Sequence, residues 1–486
     1  MFVVIKDVFL VFYYRVSGVK YISAIARFPD YLTTVAHILK MNIEKVTIKK
    51  VVNGGFGLSH LPSGRIVLVQ RALPAEIVAV TVEQGKKNYL FGKIKRILKP
   101  HDARRQPPCK YYNHCGGCNL QHCSTATQIT IKKEILLDLL QRSPEAGVRE
   151  AVNLLLDPVV SPSAFGYRQR IRLQIDEQGM IGFRRFRSHE IVSIDRCLLA
   201  EEPVNESLGK LRALNDFHKL SALATEIELL LNPGSEKIVC RFHFIRKPRP
   251  ADITAAKSIC NALPSVESIF FSGEDFPLMG PYGRKDKSPE RYLLVCYPEI
   301  GKKPTSLRLQ WEVGGFCQVN LQQNRTLINI VLDFCKVTKE ETVLDLFCGM
   351  GNFSIPLARQ AKKVTGIEGQ GSSIRSAKSN AVNNGLTNTM FIKSPIHTGC
   401  KKLRKQGARF DCIIIDPPRQ GAPALATDLA VLAKKRLVYI SCDPATLCRD
   451  LAELARAGFD IKTIQPIDMF PQTHHIETVV LLEKSL

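Results

Sequence analysis

After Trp311 the chain settles into a repeated pattern: a short apolar run, a turn, then a helical stretch. "ETVLDLFCG", "KKVTGIEG", "FDCIIIDPPRQG" and "KKRLVYISC" are four such runs, with helices expected from about Asn352, Ser372, Ala424 and Ala445. Runs that are apolar on both faces, rather than alternating, need a covering layer on each side. The pattern therefore predicts an open, mostly parallel α/β sheet between two layers of helices. Two further strands, "FDIKTIQPIDMF" and "HHIETVVLLEK", close it. In such sheets ligands bind beyond the carboxyl ends of the strands, where the strand order reverses. The residues at those ends are the candidates for chemistry.

They are "DLFCGMGNF", "IEG", "DPPR" and "SCDP". Gly349 and Gly351 let a backbone approach a ligand at a helix start, but Ser354 stands where a dinucleotide fingerprint has its third glycine, which disfavours NAD. Glu368 ends the second strand, 17 residues after Gly351, and suits a carboxylate gripping ribose hydroxyls. An adenosine ligand without pyrophosphate fits this combination, and S-adenosylmethionine is such a ligand. If the "DPPR" and "YISC" strands are neighbours, Asp416 and Cys442 flank one cleft. A lone cysteine is ordinarily a small hydrophobe, and Glu477 by itself is an ordinary strand-end carboxylate. Together with a methyl donor they suggest base methylation. Uracil C5 is a poor nucleophile until a thiolate adds at C6, and a base must afterwards remove the C5 proton so that the thiolate can leave. Cys442 is the candidate nucleophile and Glu477 the candidate base.

The charge balance points to the partner. With 68 Lys+Arg against 45 Asp+Glu, the net charge is +23, which favours a polyanion, nucleic acid before membrane surface. No run reaches the ~18 apolar residues of a membrane span, and "FVVIKDVFLVFYYRV" is broken by Lys6 and Asp7. The 15 cysteines mostly sit singly in apolar runs. Without a secretory signal pattern, a reducing cytoplasmic setting is expected, with no obligate protein partner and a monomeric state.

Four regions follow. A clean domain start stands at Met41, so residues 1–40 are read either as an extension to which no function is assigned or as sequence ahead of a translation start at Met41. Residues 41–101 alternate as the strands of a small β-barrel decorated by Lys49, Lys50, Lys86, Lys87, Lys93, Lys95 and Arg96, a type of fold that often binds RNA. Residues 102–304 form a mixed α+β central domain. It opens with a cysteine cluster and carries arginine strands, "YRQRIRLQID" with Arg168, Arg170 and Arg172, and "GFRRFRSHEIV" with Arg184, Arg185 and Arg187, which suggest RNA contact. Residues 305–486 are the catalytic α/β domain. In the cluster, Cys109, Cys115 and Cys118 follow C-x(5)-C-x(2)-C spacing. Taken alone, that spacing suggests zinc.

"LDLFCGMGNF", "DPPRQG", "SCDPATLCRD" and "DMFPQTHHIE", in this order, closely resemble the RNA uracil-5-methyltransferases, especially the ribosomal large-subunit type. The resemblance covers nearly everything after Met41. It implies a C-terminal Rossmann-like S-adenosylmethionine-dependent domain behind an OB-like TRAM barrel, Cys442 as nucleophile and Glu477 as general base. It also implies cofactor contacts from Gln318, Phe347, Asn352, Glu368 and Asp416. In place of zinc, the resemblance implies a four-iron four-sulfur cluster held by Cys109, Cys115, Cys118 and Cys197, with Cys123 a competing fourth ligand, and four thiolates suit such a cluster. The expected activity is 5-methyluridine formation in RNA, most of all in 23S rRNA. The alternatives are a transfer-RNA 5-methyluridine enzyme, an inactive RNA-binding ribosome-assembly factor, or an iron–sulfur redox protein that would leave the cleft motifs idle. One departure stands out: "KSPIHTG" has Ser394 and Pro395 where such enzymes offer Asp or Asn toward the adenine.

Overall fold

The computed structural model describes residues 2–6, 9–16, 19–24, 43–283, 292–300 and 305–485. The chain divides into two compact units, one of residues 1–50 and 57–100, the other of residues 51–56 and 101–486. In the first part, Phe2–Lys6, Phe9–Val16 and Val19–Ala24 form a three-stranded antiparallel sheet. A six-stranded sheet then runs from Ile43–Thr47 to Tyr89–Lys99 around a small core of Val46, Ile48, Val67, Val69, Val78 and Val80. Alternate residues of its strands are buried, as a curved sheet with one wet face requires. Lys49, Lys86, Lys87, Lys93, Lys95 and Arg96 are all exposed.

The second unit holds two seven-stranded sheets. The central one contains Arg170–Ile175, Ala224–Asn232 and Lys237–Phe244 as neighbours. Here the arginine row meets carboxylates of a neighbouring strand. Register places Arg172 opposite Glu228, and Glu228 opposite Arg241. Arg170 bonds Glu228, Arg172 reaches Glu226 at 3.2 Å, and Arg241 reaches Glu228 at 3.0 Å. Glu228 is fully buried and joins Arg170, Arg172 and Arg241 in one charge network, while Arg172 keeps about half of its side chain exposed. In the next arginine stretch, Arg184 bonds Gln174 and Arg185 bonds Glu190.

The catalytic sheet is built from β1 (Thr342–Leu346), β2 (Lys363–Glu368), β3 (Thr389–Lys393), β4 (Phe410–Ile415), β5 (Ala433–Ser441), β6 (Phe459–Ile467) and β7 (Glu477–Lys484). Their order is β3-β2-β1-β4-β5-β7-β6. The first five are parallel, and β7 enters antiparallel between β5 and β6. Successive residues explain the apolar runs. Val343, Cys412, Ile414, Val438 and Ile440 face one core, while Leu344, Ile413, Ile415, Leu437 and Tyr439 face the other. Helix α1 (Thr125–Gln141), which follows the cysteine cluster, contributes Leu136 and Leu140 to that second core. Helix α2 (Leu321–Cys335) packs Leu327, Ile328 and Val331 into the first. Neither α2 nor edge strand β3 was anticipated from sequence. Among the described residues no helix is long and apolar enough to cross a membrane.

Candidate functional site

The reversal of strand order lies between β1 and β4, and the predicted site residues gather at the carboxyl ends around it. β1 ends in a tight turn. Phe347 has φ +61° and Gly349 φ +54°, and a Cβ added at Gly349 would meet nothing within 4 Å, so this backbone is open to a ligand. Glu368, at the end of β2, braces the turn: its carboxylate accepts from Gly349 N at 3.2 Å and from Gln370 N at 2.8 Å. Asn352 exchanges hydrogen bonds with Asn324 of α2 at 2.9 and 3.0 Å, and Asn324 also donates to Tyr297 Oη at 2.8 Å. Gln318 is nearly buried, just ahead of α2, with its carbonyl accepting from Gln169 at 3.2 Å. Ser394, at the end of β3, donates its N–H to the Glu368 carbonyl at 3.0 Å and its hydroxyl to Pro395 O at 3.0 Å. That position presents no carboxylate or amide side chain.

The turn has an unused polar atom beneath it. Asp345 is fully buried; its Oδ2 accepts from Ser354 Oγ at 2.5 Å while its Oδ1 has no partner. Burial pushes its carboxyl up to about 7. Asp416, one residue past β4, is likewise raised to about 7 by burial and then by the Asp345 charge. An open glycine turn, a carboxylate at the second strand end and a second acidic residue at the fourth form a cradle that fits an adenosyl ligand carrying a sulfonium.

Cys442 and Glu477 come together through the one antiparallel insertion. Ser441 pairs with Thr478 across β5 and β7, so the next positions outward, Cys442 and Glu477, stand opposite one another at the sheet's end. Ile415 pairs with Tyr439 across β4 and β5, which sets Asp416 one strand away. The strand–helix junction holds the thiol in place. Asp443 accepts from Ala445 N at 3.0 Å and Thr446 N at 2.9 Å, and Pro444 opens helix α3 (Pro444–Arg456), a well-formed N-cap. Asp443 thus shapes the junction. Burial pushes the half-buried Cys442 thiol up to about 12, with the Glu477 and Asp416 charges adding to the rise and Arg419 opposing it. Glu477 is buried, and burial followed by the Asp416 charge raises its carboxyl well above the usual range, Arg419 again opposing. Arg419 is the cation of this cleft and was overlooked in the sequence, although the "DPPR" motif ends on it.

A second constellation lies in the cysteine segment. Cys109, Cys115, Cys118 and Cys197 line one cavity of about 270 Å³ together with Gln121 and Arg168. No Asp, Glu or His is among the lining residues. Burial raises the Cys118 thiol to about 12; Gln121 and Arg168 oppose the rise, while Cys197 and Cys115 add to it. Among the described residues no three His, Cys, Asp or Glu groups are placed to hold a single metal ion. Cys123 is fully buried and donates its Sγ–H to Leu120 O at 3.3 Å, outside that lining. An all-thiol donor set lining one cavity, with Arg168, Arg170, Arg172 and Arg196 in its wall, suits a polynuclear iron–sulfur group.

Similarity to known proteins follows the same lines. Residues 301–485 match the family model described as tRNA (Uracil-5-)-methyltransferase, and residues 42–95 match the TRAM domain. A 23S rRNA (uracil(1939)-C(5))-methyltransferase from Pseudomonas putida is 34% identical over 447 residues, covering 90% of this chain and 93% of the relative. An uncharacterized RNA methyltransferase from Thermotoga maritima is 31% identical over 458 residues, covering 91% of this chain and 99% of the relative. Among solved structures, the Pyrococcus abyssi tRNA (uracil-54, C5)-methyltransferase superposes with a TM-score of 0.66 at 24% identity, covering 90% of this chain and 99% of that one. This last likeness establishes the fold.

Proposed function

The chain belongs to the RNA uracil-C5-methyltransferase family, and from that premise we propose that Cys442 and Glu477 carry the reaction on a uridine of 23S rRNA. Its activity is methylation of uracil C5 in RNA, for which S-adenosylmethionine supplies an electrophilic methyl group. The observation that carries the residue assignment is the register that sets Cys442 against Glu477 at the end of β5 and β7.

Cys442, after losing its proton to solvent, adds through sulfur to C6 of the uracil, and the C5=C6 electron pair moves to C5, which would take the methyl group as its bond to the sulfonium breaks and the neutral thioether leaves. Glu477 then takes the C5 proton, the C5=C6 bond re-forms and the C6–S bond breaks. A buried carboxyl with a raised affinity for protons is suited to that abstraction. Arg419 is the cation positioned to moderate the negative charge of the cleft. Gln318, Phe347, Asn352, Glu368 and Asp416 would hold the adenosyl ligand, with Glu368 on the ribose. Cys109, Cys115, Cys118 and Cys197 would hold a four-iron four-sulfur cluster with a structural role. The ribosomal substrate is supported by 23S rRNA relatives that cover nine-tenths of this chain.

The test is direct. The protein is incubated separately with unmodified 23S rRNA and with transfer RNA in the presence of labelled methyl donor, and modified bases are mapped by mass spectrometry. One 5-methyluridine in 23S rRNA is expected, with a denaturation-resistant adduct when 5-fluorouridine replaces the target. Methylation confined to transfer RNA would overturn the substrate reading. Absence of an adduct with the fluorinated RNA would overturn the covalent one.

A further inference from the structure

The cysteine segment continues past its cavity into the catalytic domain. Residues 119–132 grip residues 468–476, the loop that leads directly into Glu477. Asn119 and Leu120 donate their backbone N–H groups to the Gln472 carbonyl at 3.2 and 3.1 Å. Gln128, fully buried on α1, accepts the Gln472 N–H at 2.9 Å and donates to Gln472 Oε1 at 3.0 Å. The same amide donates to Leu120 O at 3.1 Å and to Cys123 O at 3.2 Å, so it fastens the cysteine segment and the loop together. Asn119 Oδ1 accepts the His474 N–H at 2.8 Å, and its amide nitrogen lies 2.7 Å from His474 Nδ1. Four residues along the helix from Gln128, Lys132 bonds Asp468 at 2.5 Å and the Phe470 carbonyl at 3.0 Å, both charged groups being wholly buried.

This grip works against the loop's own preference. Gln472 sits at φ +69°, in the left-handed region that is unfavourable for a non-glycine residue. Helix α2 and the residue before it hold only the start of the loop, through Gln323 to the Asp468 carbonyl and Asn320 to the Met469 carbonyl. From Phe470 to His474 the polar restraints come largely from the cysteine segment and Lys132, with Tyr167 donating to Pro471 O at 3.1 Å.

We propose that Gln128 and Asn119 are positioning residues for Glu477: the thiol-bearing segment is a clamp that sets the approach of the base to the uracil, so elimination depends on that segment being assembled. This rests on the reading of Glu477 given above. The step affected is the one in which Glu477 takes the C5 proton, the pair from the C5–H bond re-forms C5=C6 and the C6–S bond breaks to return the Cys442 thiolate. Binding of the adenosyl ligand, at the ends of β1 and β2, lies outside the clamp.

Two variants test it. Gln128→Glu keeps an acceptor for Gln472 N–H but turns three donated bonds into repulsions. Gln472→Gly removes the side-chain bonds while favouring the observed backbone conformation, and so protects folding. In single-turnover quench experiments with substrate RNA, the methylated covalent adduct should persist at least about tenfold longer in both variants, while its formation changes by less than about twofold. Adduct decay at the wild-type rate in Gln472→Gly, or equal slowing of formation and decay, would overturn the proposal. Glu477→Gln separates the two readings: without adduct accumulation there, the assignment of the base itself fails. A readout independent of activity is hydrogen exchange over residues 468–476 in Cys197→Ser, which alters the cavity from outside the clamped segment. Faster exchange in the loop with β1 and β2 unchanged is expected, and unchanged exchange in the loop would overturn the coupling.

Discussion

Cys442 and Cys118 are both buried enough for their thiols to rise to about 12, yet their surroundings differ in kind. Cys442 stands at the end of a strand with Glu477 opposite, Asp416 one strand away and Arg419 as its counter-charge. Cys118 shares a cavity with three other thiols, Gln121 and Arg168. A thiol facing carboxylates is held as a thiol and becomes a strong nucleophile only when its proton is removed, since intrinsic nucleophilicity rises with pKa. Thiols facing one another and a cation are arranged to share bound positive charge instead. The difference teaches that two thiols equally raised by burial can stand in unlike company, one among carboxylates and the other among thiols, and it is this difference that the proposed roles rest on.

The largest effects should come from breaking each site and watching the other. Cys442→Ala should lower 5-methyluridine formation by at least ~10³-fold, because no other side chain can form and release the C6 bond, while iron content stays unchanged. Cys197→Ser should do the reverse to the metal, removing most of the about four irons per chain expected of a four-thiolate cluster, and Cys123→Ser should leave them in place. Anaerobic purification, iron analysis and methyl-transfer assays on the three variants measure both outcomes. Substantial methylation by Cys442→Ala would make that thiol a packing residue, and iron loss in Cys123→Ser would move the fourth ligand.

The next effect is a slope. A thiol raised to about 12 is almost wholly protonated between pH 7 and 9, so its thiolate fraction climbs about tenfold per pH unit and about a hundredfold over the interval. Alkylation of Cys442 by iodoacetamide, followed by peptide mass spectrometry, should rise with that slope and show no plateau. A plateau below pH 9 would mean that Arg419 outweighs burial and the two carboxylates, and the contrast with the ligating thiols would weaken.

These contrasts were legible in the sequence to unequal degrees. The strand-end motifs could be read because a buried parallel strand announces itself locally, as an apolar run closed by Gly, Pro or Asp. The pairing of Cys442 with Glu477 could not be read from spacing. It depends on β7 entering between β5 and β6, a non-local choice that sequence periodicity does not carry. The partners of the arginine row were hidden for the same reason. Arg170 and Arg172 are visible as an alternating face, but Glu226 and Glu228 arrive from a strand more than 50 residues later. Lys132 looks like any helix lysine until Asp468, 336 residues away, is folded against it. Strand β3 is short and helix α2 carries no strand-end motif, so neither is announced by the local pattern, although Ser394 follows the one and Asn324 lies on the other.

The smallest effect sharpens the catalytic half of the comparison. Glu368 bonds two backbone N–H groups of its own cleft, Gly349 and Gln370, so it is oriented before any ligand arrives. A carboxylate fixed in this way can accept from ribose hydroxyls with little further ordering, and charge-assisted bonds of that type contribute about 1–3 kcal/mol. Glu368→Ala should therefore weaken S-adenosylmethionine binding about fivefold to a hundredfold in calorimetric titration. Part of that loss would come from the unbraced Gly349 turn. Glu368→Gln distinguishes the two contributions: its single carbonyl oxygen can still brace one N–H, but it carries no charge, so it should recover part of the affinity. Iron content and Cys442 alkylation should stay at their wild-type values in both variants, because neither thiol site depends on Glu368. Normal affinity in Glu368→Ala would remove the ribose role from Glu368 and leave it as a turn brace alone.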